Sequence, residues 1–257
     1  MFPIRDDNPQ IGKPIATYTI IALNIAAWIL LQGMGFGEQI NTSVCQFGLI
    51  PADLFGSDII DNRRYVCDPN GGAGWGGIFS SMFMHGGWMH IIGNMWFLYV
   101  FGDNVEDSMG SMRFAVFYIL CGLCAAAAQA VSDLGSTIPM VGASGAIGGV
   151  MGAYIMLYPR VKVHMFVIFI FIFTTFRIPA VAMLGYWIAV QFVGGLSSLG
   201  STGGGVAFWA HIGGFAGGAA LVWLFKDDEL LLNHPYHGWH KQADPANIWN
   251  DPENRQR

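Results

Sequence analysis

The chain has 257 residues, of which 53% are hydrophobic and 11% charged, and its mean hydropathy is +0.45. A soluble domain carries about 25% charged residues, so a water-soluble globule is excluded and a lipid-embedded body is expected. The net charge of −5 and pI of about 5.7 lack the clustered basic surface of a nucleic-acid binder, whose pI lies above about 9, and no nucleic acid partner is expected.

An apolar stretch of about 20 residues spans the hydrocarbon core as a helix. Residues 1–14 read as a short cytoplasmic N-terminal segment ahead of an apolar run over 15–34. That run is longer than a signal-peptide core, follows Asp6 and Asp7, and has no small-x-small cleavage site behind it, so it is expected to stay as a helix. Residues 35–77 form an outer loop that holds Cys45 and Cys67. In an oxidising compartment a disulfide between them is possible. Further apolar runs cover 78–101, 112–131, 141–158, 163–176, 178–196 and 206–225. Asp103, Glu106 and Asp107 read as a solvated inner loop before Arg113. Cys121 and Cys124, beside Ala125 to Ala128, read as small apolar packing rather than redox chemistry. The polar stretch 226–257, with Pro235, Pro245 and Pro252, has no apolar period that would bury a face. It reads as a mostly disordered cytoplasmic tail in which His234, His237 and His240 are solvated.

Polar chemistry inside the apolar runs is confined to a few residues. Ser144 sits in Val141-Gly-Ala-Ser-Gly-Ala-Ile-Gly-Gly-Val-Met-Gly152, His211 in Ala210-His-Ile-Gly-Gly-Phe-Ala-Gly-Gly218, and His85, His90 and Asn94 in His85-Gly-Gly-Trp-Met-His-Ile-Ile-Gly-Asn94. An ionisable group within a span costs about 3 kcal/mol or more to insert and marks a functional candidate. Ser144 lies at the start of its run and His211 close behind the start of its own. They reach one depth only if those helices run parallel, which takes one span between them. Residues 178–196 are then the fifth span, and 161–177 a re-entrant or interfacial segment buried against protein. With six spans and the N-terminus inside, Arg5, Lys13, Arg113, Arg160, Lys162, Arg177, Lys226, Lys241, Arg255 and Arg257 fall inside, and only Arg63 and Arg64 outside. Cytoplasmic loops carry that bias, and it turns Ser144, His211, His85 and His90 toward the outer side.

Small residues four apart let membrane helices pack backbone to backbone. Gly145 and Gly149, Gly148 and Gly152, Gly213 and Gly217, and Gly214 and Gly218 have that spacing, and Gly142 belongs to the same small-residue set. A serine hydroxyl becomes a nucleophile when a base takes its proton, so Ser144 reads as nucleophile and His211 as general base. No acidic residue in the neighbouring membrane sequence offers itself as a third member. First-turn helix amides are unpaired and lie at the positive dipole end, which makes the amide of Ser144 or Gly145 an oxyanion donor. His90 and Asn94, one turn apart on one face, are candidates for the same oxyanion or for plain interhelical hydrogen bonds. His85 divides between a structural and a catalytic place at a wet mouth. No metal or cofactor is expected.

Gly142-Ala-Ser-Gly145, Ala210-His-Ile-Gly213 and His85-x4-His90-x3-Asn94, in this arrangement on a six-helix frame, resemble the rhomboid intramembrane serine proteases. The resemblance implies an all-α polytopic membrane protein with a six-transmembrane-helix rhomboid-like bundle over 15–225. It also implies cleavage of transmembrane protein substrates near the membrane boundary by a Ser-His dyad, with His90 and Asn94 at the oxyanion. Two positions depart from the family pattern. An aromatic often follows the serine by one turn, where this chain has Gly148, so Trp209 or Tyr154 is expected to orient His211. A Trp-x-Arg motif is common in the first outer loop, where Trp75 is followed by Gly76 and Gly77. A bacterial inner membrane with both termini cytoplasmic is the expected setting, and oligomeric state is left open. A catalytically inactive rhomboid-like helix binder and, below it, a transporter using His85, His90 and Asn94 are the alternatives. Intact Ser144 and His211 weigh against the first and the lack of carboxylates in the spans against the second.

Overall fold

The computed structural model describes residues 2–55, 67, 72–169, 172–198 and 206–237. In chain order its elements are strand β1 (Phe2–Asp6), helices α1 (Ile15–Leu30), α2 (Gln39–Phe47), α3 (Pro51–Phe55), α4 (Gly77–Ser80), α5 (Trp88–Asp107), α6 (Ser111–Ser132) and α7 (Ser144–Leu157), strands β2 (Lys162–Phe169) and β3 (Ile172–Pro179), and helices α8 (Ala180–Ser198), α9 (Phe208–Phe225) and α10 (Asp228–Asn233). Among the described residues three helices, α6, α8 and α9, are long and apolar enough to cross a membrane, while α1 and α7 are apolar but shorter. Large apolar side chains point outward along the bundle, among them Leu30, Val131, Tyr186, Val193 and Leu224. Such a surface is hostile to water and suited to lipid, and the molecule is an integral membrane protein.

The centre of the bundle is α6, α7 and α9. Gly214 faces the carbonyl of Gly145 and Gly218 that of Gly149, so α7 and α9 ascend together in register and run parallel. The other side of this seam is α6, where Ala125 lies against Gly145, Cys121 against Gly149 and Cys124 against Gly217. Small side chains on all three helices let the backbones touch, which uses Cys121 and Cys124 as packing residues.

One expectation is corrected where strands form. The bundle is mostly helical but not all-α, because β1, β2 and β3 make an antiparallel sheet in that order. Segment 161–177 takes the form of a hairpin, pairing Lys162 with Pro179 through Phe169 with Ile172. The N-terminal segment joins the sheet, with Phe2 paired to Phe166 and Asp6 to Val163. β-Branched and aromatic residues favour a pleated surface, and the run was too short to span. Asp7 and His164 close the sheet with a 2.6 Å contact, and this imidazole holds the Asp7 carboxyl below its ordinary range.

The run 78–101 is not one helix. Residues before Gly86 and Gly87 form short helical pieces, and α5 starts at Trp88 and continues through the acidic cluster to Asp107. That cluster is not a solvated loop. Glu106 is buried and accepts from Ala16 N (2.9 Å), Thr17 N and Thr17 Oγ1 (both 2.8 Å) and from Ser111 Oγ. A carboxylate thus sits on the unpaired amides of α1, where the helix dipole favours it. Asp107 accepts from Ile11 N and Gly12 N. Asp6 takes hydrogen bonds from Tyr154 Oη and Asn104 Nδ2, and burial pushes its carboxyl up to about 6.

The start of the tail is ordered, against the expectation for 226–257. Asp227 caps α10 through Glu229 N and Leu230 N and meets Arg113 at 3.1 Å. Leu231 and His234 are buried, and the His234 ring lies against Tyr158 with centroids 5.2 Å apart. Residues 238–257, with His240, and loop residues Arg63 and Arg64 lie outside the described residues.

Candidate active site

Ser144 is the first residue of α7, delivered by a backbone that needs glycine just before it. Gly142 has φ +124°, a conformation L side chains rarely adopt, and its amide donates to Ser81 O. The parallel α7/α9 seam then brings His211, in the first turn of α9, beside the serine. Ser144 Oγ and His211 Nε2 are 2.8 Å apart. On its other side the imidazole Nδ1 is 2.8 Å from Gln191 Oε1 of α8. Trp187, one turn earlier on α8, lies against the ring with centroids 5.6 Å apart and planes tilted by 37°.

The expectation that Trp209 or Tyr154 would orient His211 is therefore corrected. Tyr154 is committed to Asp6 at the far end of the bundle, and α8 supplies both contacts. Gly148, which stands where an aromatic was looked for, faces the carbonyl of His211 and the Phe215 amide across the seam. A large side chain has no room there, whereas α8 approaches the imidazole from the open flank.

Asn94 and His90 stand opposite on α5. Asn94 is buried and its Nδ2 has no hydrogen-bond partner. His90 Nδ1 receives Gly86 N at 3.3 Å, which makes its Nε2 the protonated nitrogen. That Nε2 points at Gly142, where a methyl group would stand 2.6 Å from it. His85 is fully buried behind His90, edge-on with centroids 5.2 Å apart. Its backbone is clamped by Gln32, whose Oε1 accepts from His85 N at 2.7 Å and whose Nε2 donates to His85 O at 2.8 Å.

Ser144, His211, His90 and Asn94 line one cavity of about 840 Å³ that reaches from Trp209 and Val141 down to Met151 and Phe2. Cys45 and Cys67 are bonded, with Cα atoms 5.3 Å apart, and Leu49 exchanges backbone hydrogen bonds with Met140, ahead of Ser144. Gly145, Gly149, Gly213, Gly214 and Gly217 are close-approach positions of the α6, α7 and α9 seam, and Gly142 lies against His90. Gln191, Trp187 and Gln32 were not singled out from sequence. The signal for Gln191 was available, as a lone amide in the apolar run 178–196.

The Rhomboid domain family matches residues 72–227. The chain is 31% identical over 214 residues to Rhomboid protease GluP of Bacillus subtilis (strain 168), covering 82% of the chain and 36% of that protein. It is 32% identical over 186 residues to RHOMBOID-like protein 4 of Arabidopsis thaliana, covering 71% and 40%. Rhomboid protein 1, mitochondrial, of Saccharomyces cerevisiae is 27% identical over 153 residues, covering 58% and 41%. Across the matched relatives the chain spans 25% to 53% of their length.

Proposed function

The chain belongs to the rhomboid family, and on that footing we propose that it is an intramembrane serine endopeptidase that cuts membrane-protein substrates in or near their transmembrane helices. The observation that carries this is the 2.8 Å contact of Ser144 Oγ with His211 Nε2 in the wall of a large cavity within an apolar bundle. His211 takes the hydroxyl proton as Ser144 attacks the scissile carbonyl, and returns it to the leaving amine. A water activated in the same way then releases the acyl group. The oxyanion has donors on two sides: the first-turn amides of α7 at Ser144 and Gly145, and Asn94 Nδ2 with His90 Nε2 opposite. One such donor contributes roughly 3–4 kcal/mol to the transition state. His85 supports His90 from behind.

In this reading α1, α5, α6, α7, α8 and α9 are the six spans, and the sheet and tail lie at the cytoplasmic face. The Lys and Arg distribution supports that orientation. The Cys45–Cys67 bond supports an oxidising compartment on the serine side, which fits a bacterial inner membrane. An inactive helix binder would have no need of the Ser144–His211 contact. The test is cleavage of single-span substrates, with Gly or Pro near the outer end of the helix, by protein reconstituted in liposomes. Ser144→Ala is expected to abolish all products, and products that persist in that variant defeat the proposal.

A further inference from the structure

His211 is held on two nitrogens, and the second contact is unassigned. Resting on the protease reading above, we infer that Gln191 is a positioning residue that holds His211 in the tautomer able to act as base. Ser144, His211 and Gln191 then form a hydrogen-bonded chain with an amide where soluble serine proteases place a carboxylate.

A neutral imidazole carries one proton, and its other nitrogen accepts. Only the form protonated on Nδ1 presents a lone pair on Nε2 to the Ser144 hydroxyl 2.8 Å away. A carbonyl oxygen can only accept, so Gln191 Oε1 at 2.8 Å from Nδ1 selects that form. The reversed amide would donate to Nδ1, place the proton on Nε2 and leave Ser144 facing a donor. Gln191 is buried, so water does not compete for the contact. Trp187, four residues earlier on the same face of α8, restrains the ring plane while Gln191 restrains its rotation. The other ionisable groups lining the cavity are His90 and Asp133, and the two nitrogens of His211 are already taken by Ser144 and Gln191.

An amide suits this place for an electrostatic reason. A lone carboxylate buried in a lipid-embedded bundle carries a large desolvation cost, whereas an amide gives the same direction without a charge. The base it orients gains no anion to stabilise its protonated form.

The test compares purified full chain as wild type, Ser144→Ala, Gln191→Leu and Gln191→Glu, with thermal melting to establish folding and with kcat and KM on one cleavable substrate. Gln191→Leu is expected to lower kcat about 10- to 100-fold, the loss of one buried hydrogen bond to the base, with KM within about twofold. Gln191→Glu keeps an oxygen acceptor beside Nδ1 and is expected to hold kcat well above that of Gln191→Leu. A merely structural role would lower melting in both variants and leave kcat of the folded protein unchanged. Wild-type kcat in folded Gln191→Leu, or kcat in Gln191→Glu as low as in Gln191→Leu, overturns the inference. If Gln191→Leu does not fold, kcat of Gln191→Glu against wild type decides, and a loss of about 100-fold overturns the inference. Failure of the protease reading has a different signature, equal cleavage by wild type and Ser144→Ala, and the inference falls with it.

Discussion

Gly214 lies in the α7/α9 seam within a turn of both Ser144 and His211. It faces the carbonyl of Gly145, the neighbour of Ser144, and a methyl in its place would collide with that oxygen. Gly214→Ala must therefore part the two backbones one turn or less from both members of the dyad. Restoring ordinary contact opens the seam by roughly 1 Å, which carries the 2.8 Å Ser144–His211 contact out of the range of about 2.6–3.2 Å that proton transfer uses. Overpacking of this kind costs about 1–3 kcal/mol of stability, and a misplacement of about 1 Å lowers rate on the order of 10²-fold. Both are read on one preparation, stability by denaturant titration in detergent and kcat/KM on a transmembrane substrate. Gly185→Ala on α8, where a methyl meets open space, is the control and should match wild type. If Gly214→Ala matches Gly185→Ala in both assays, the seam does not set the dyad geometry.

Other consequences can be measured in the same assays. Glu106→Ala strips the acceptor from two amides and two hydroxyls that join α1, α5 and α6; a hydrogen bond contributes about 0.5–1.5 kcal/mol net, so a loss of about 2–6 kcal/mol is expected, and an unchanged melting temperature would contradict the capping role. His90→Ala removes the Nε2 donor that faces Gly142 and should lower kcat about 10²- to 10³-fold if that nitrogen serves the oxyanion, with little change in KM; a change in KM alone would place His90 in binding. Asp6 has its carboxyl raised from 3.8 to about 6 by burial, so the folded state favours the protonated acid. The fold is then destabilised as pH rises from about 4 to 6, by roughly 3 kcal/mol once the group is ionised. Asp6→Asn should melt higher than wild type at pH 8 and equally at pH 4, and a constant difference across that range would refute the assignment.

The meeting of Ser144 and His211 was legible because a serine among glycines and a histidine inside an apolar run have few other reasons to be there. Parity of the helices was legible for the same reason, since the two groups had to share a depth. The contacts from α8 were not legible, because Gln191 and Trp187 join His211 only after three helices have packed, and nothing in a run of apolar residues orders its neighbours in space. The acidic cluster was misread as solvated because its partners are about 90 residues away. Glu106 is buried by the start of α1, and a hydropathy window sees only local charge. The sheet was half legible. Residues 163–176 were too short and too rich in β-branched side chains for a span, but the strand that completes the sheet comes from Phe2–Asp6, whose five residues carry no alternation to announce it. The polar start of the tail carries too few apolar residues to suggest that Leu231 and His234 dock on the bundle behind the Asp227 cap of α10.

The proposal that Ser144 is a nucleophile activated by His211 is tested most directly by labelling purified, detergent-solubilised protein with a fluorophosphonate probe. Wild type, Ser144→Ala and His211→Ala are compared, beside an unrelated active membrane serine hydrolase in the same detergent. Label on wild type and on neither variant is the expected result. If the control hydrolase labels while wild type takes up no more probe than Ser144→Ala, the serine is not activated and the protease proposal is wrong.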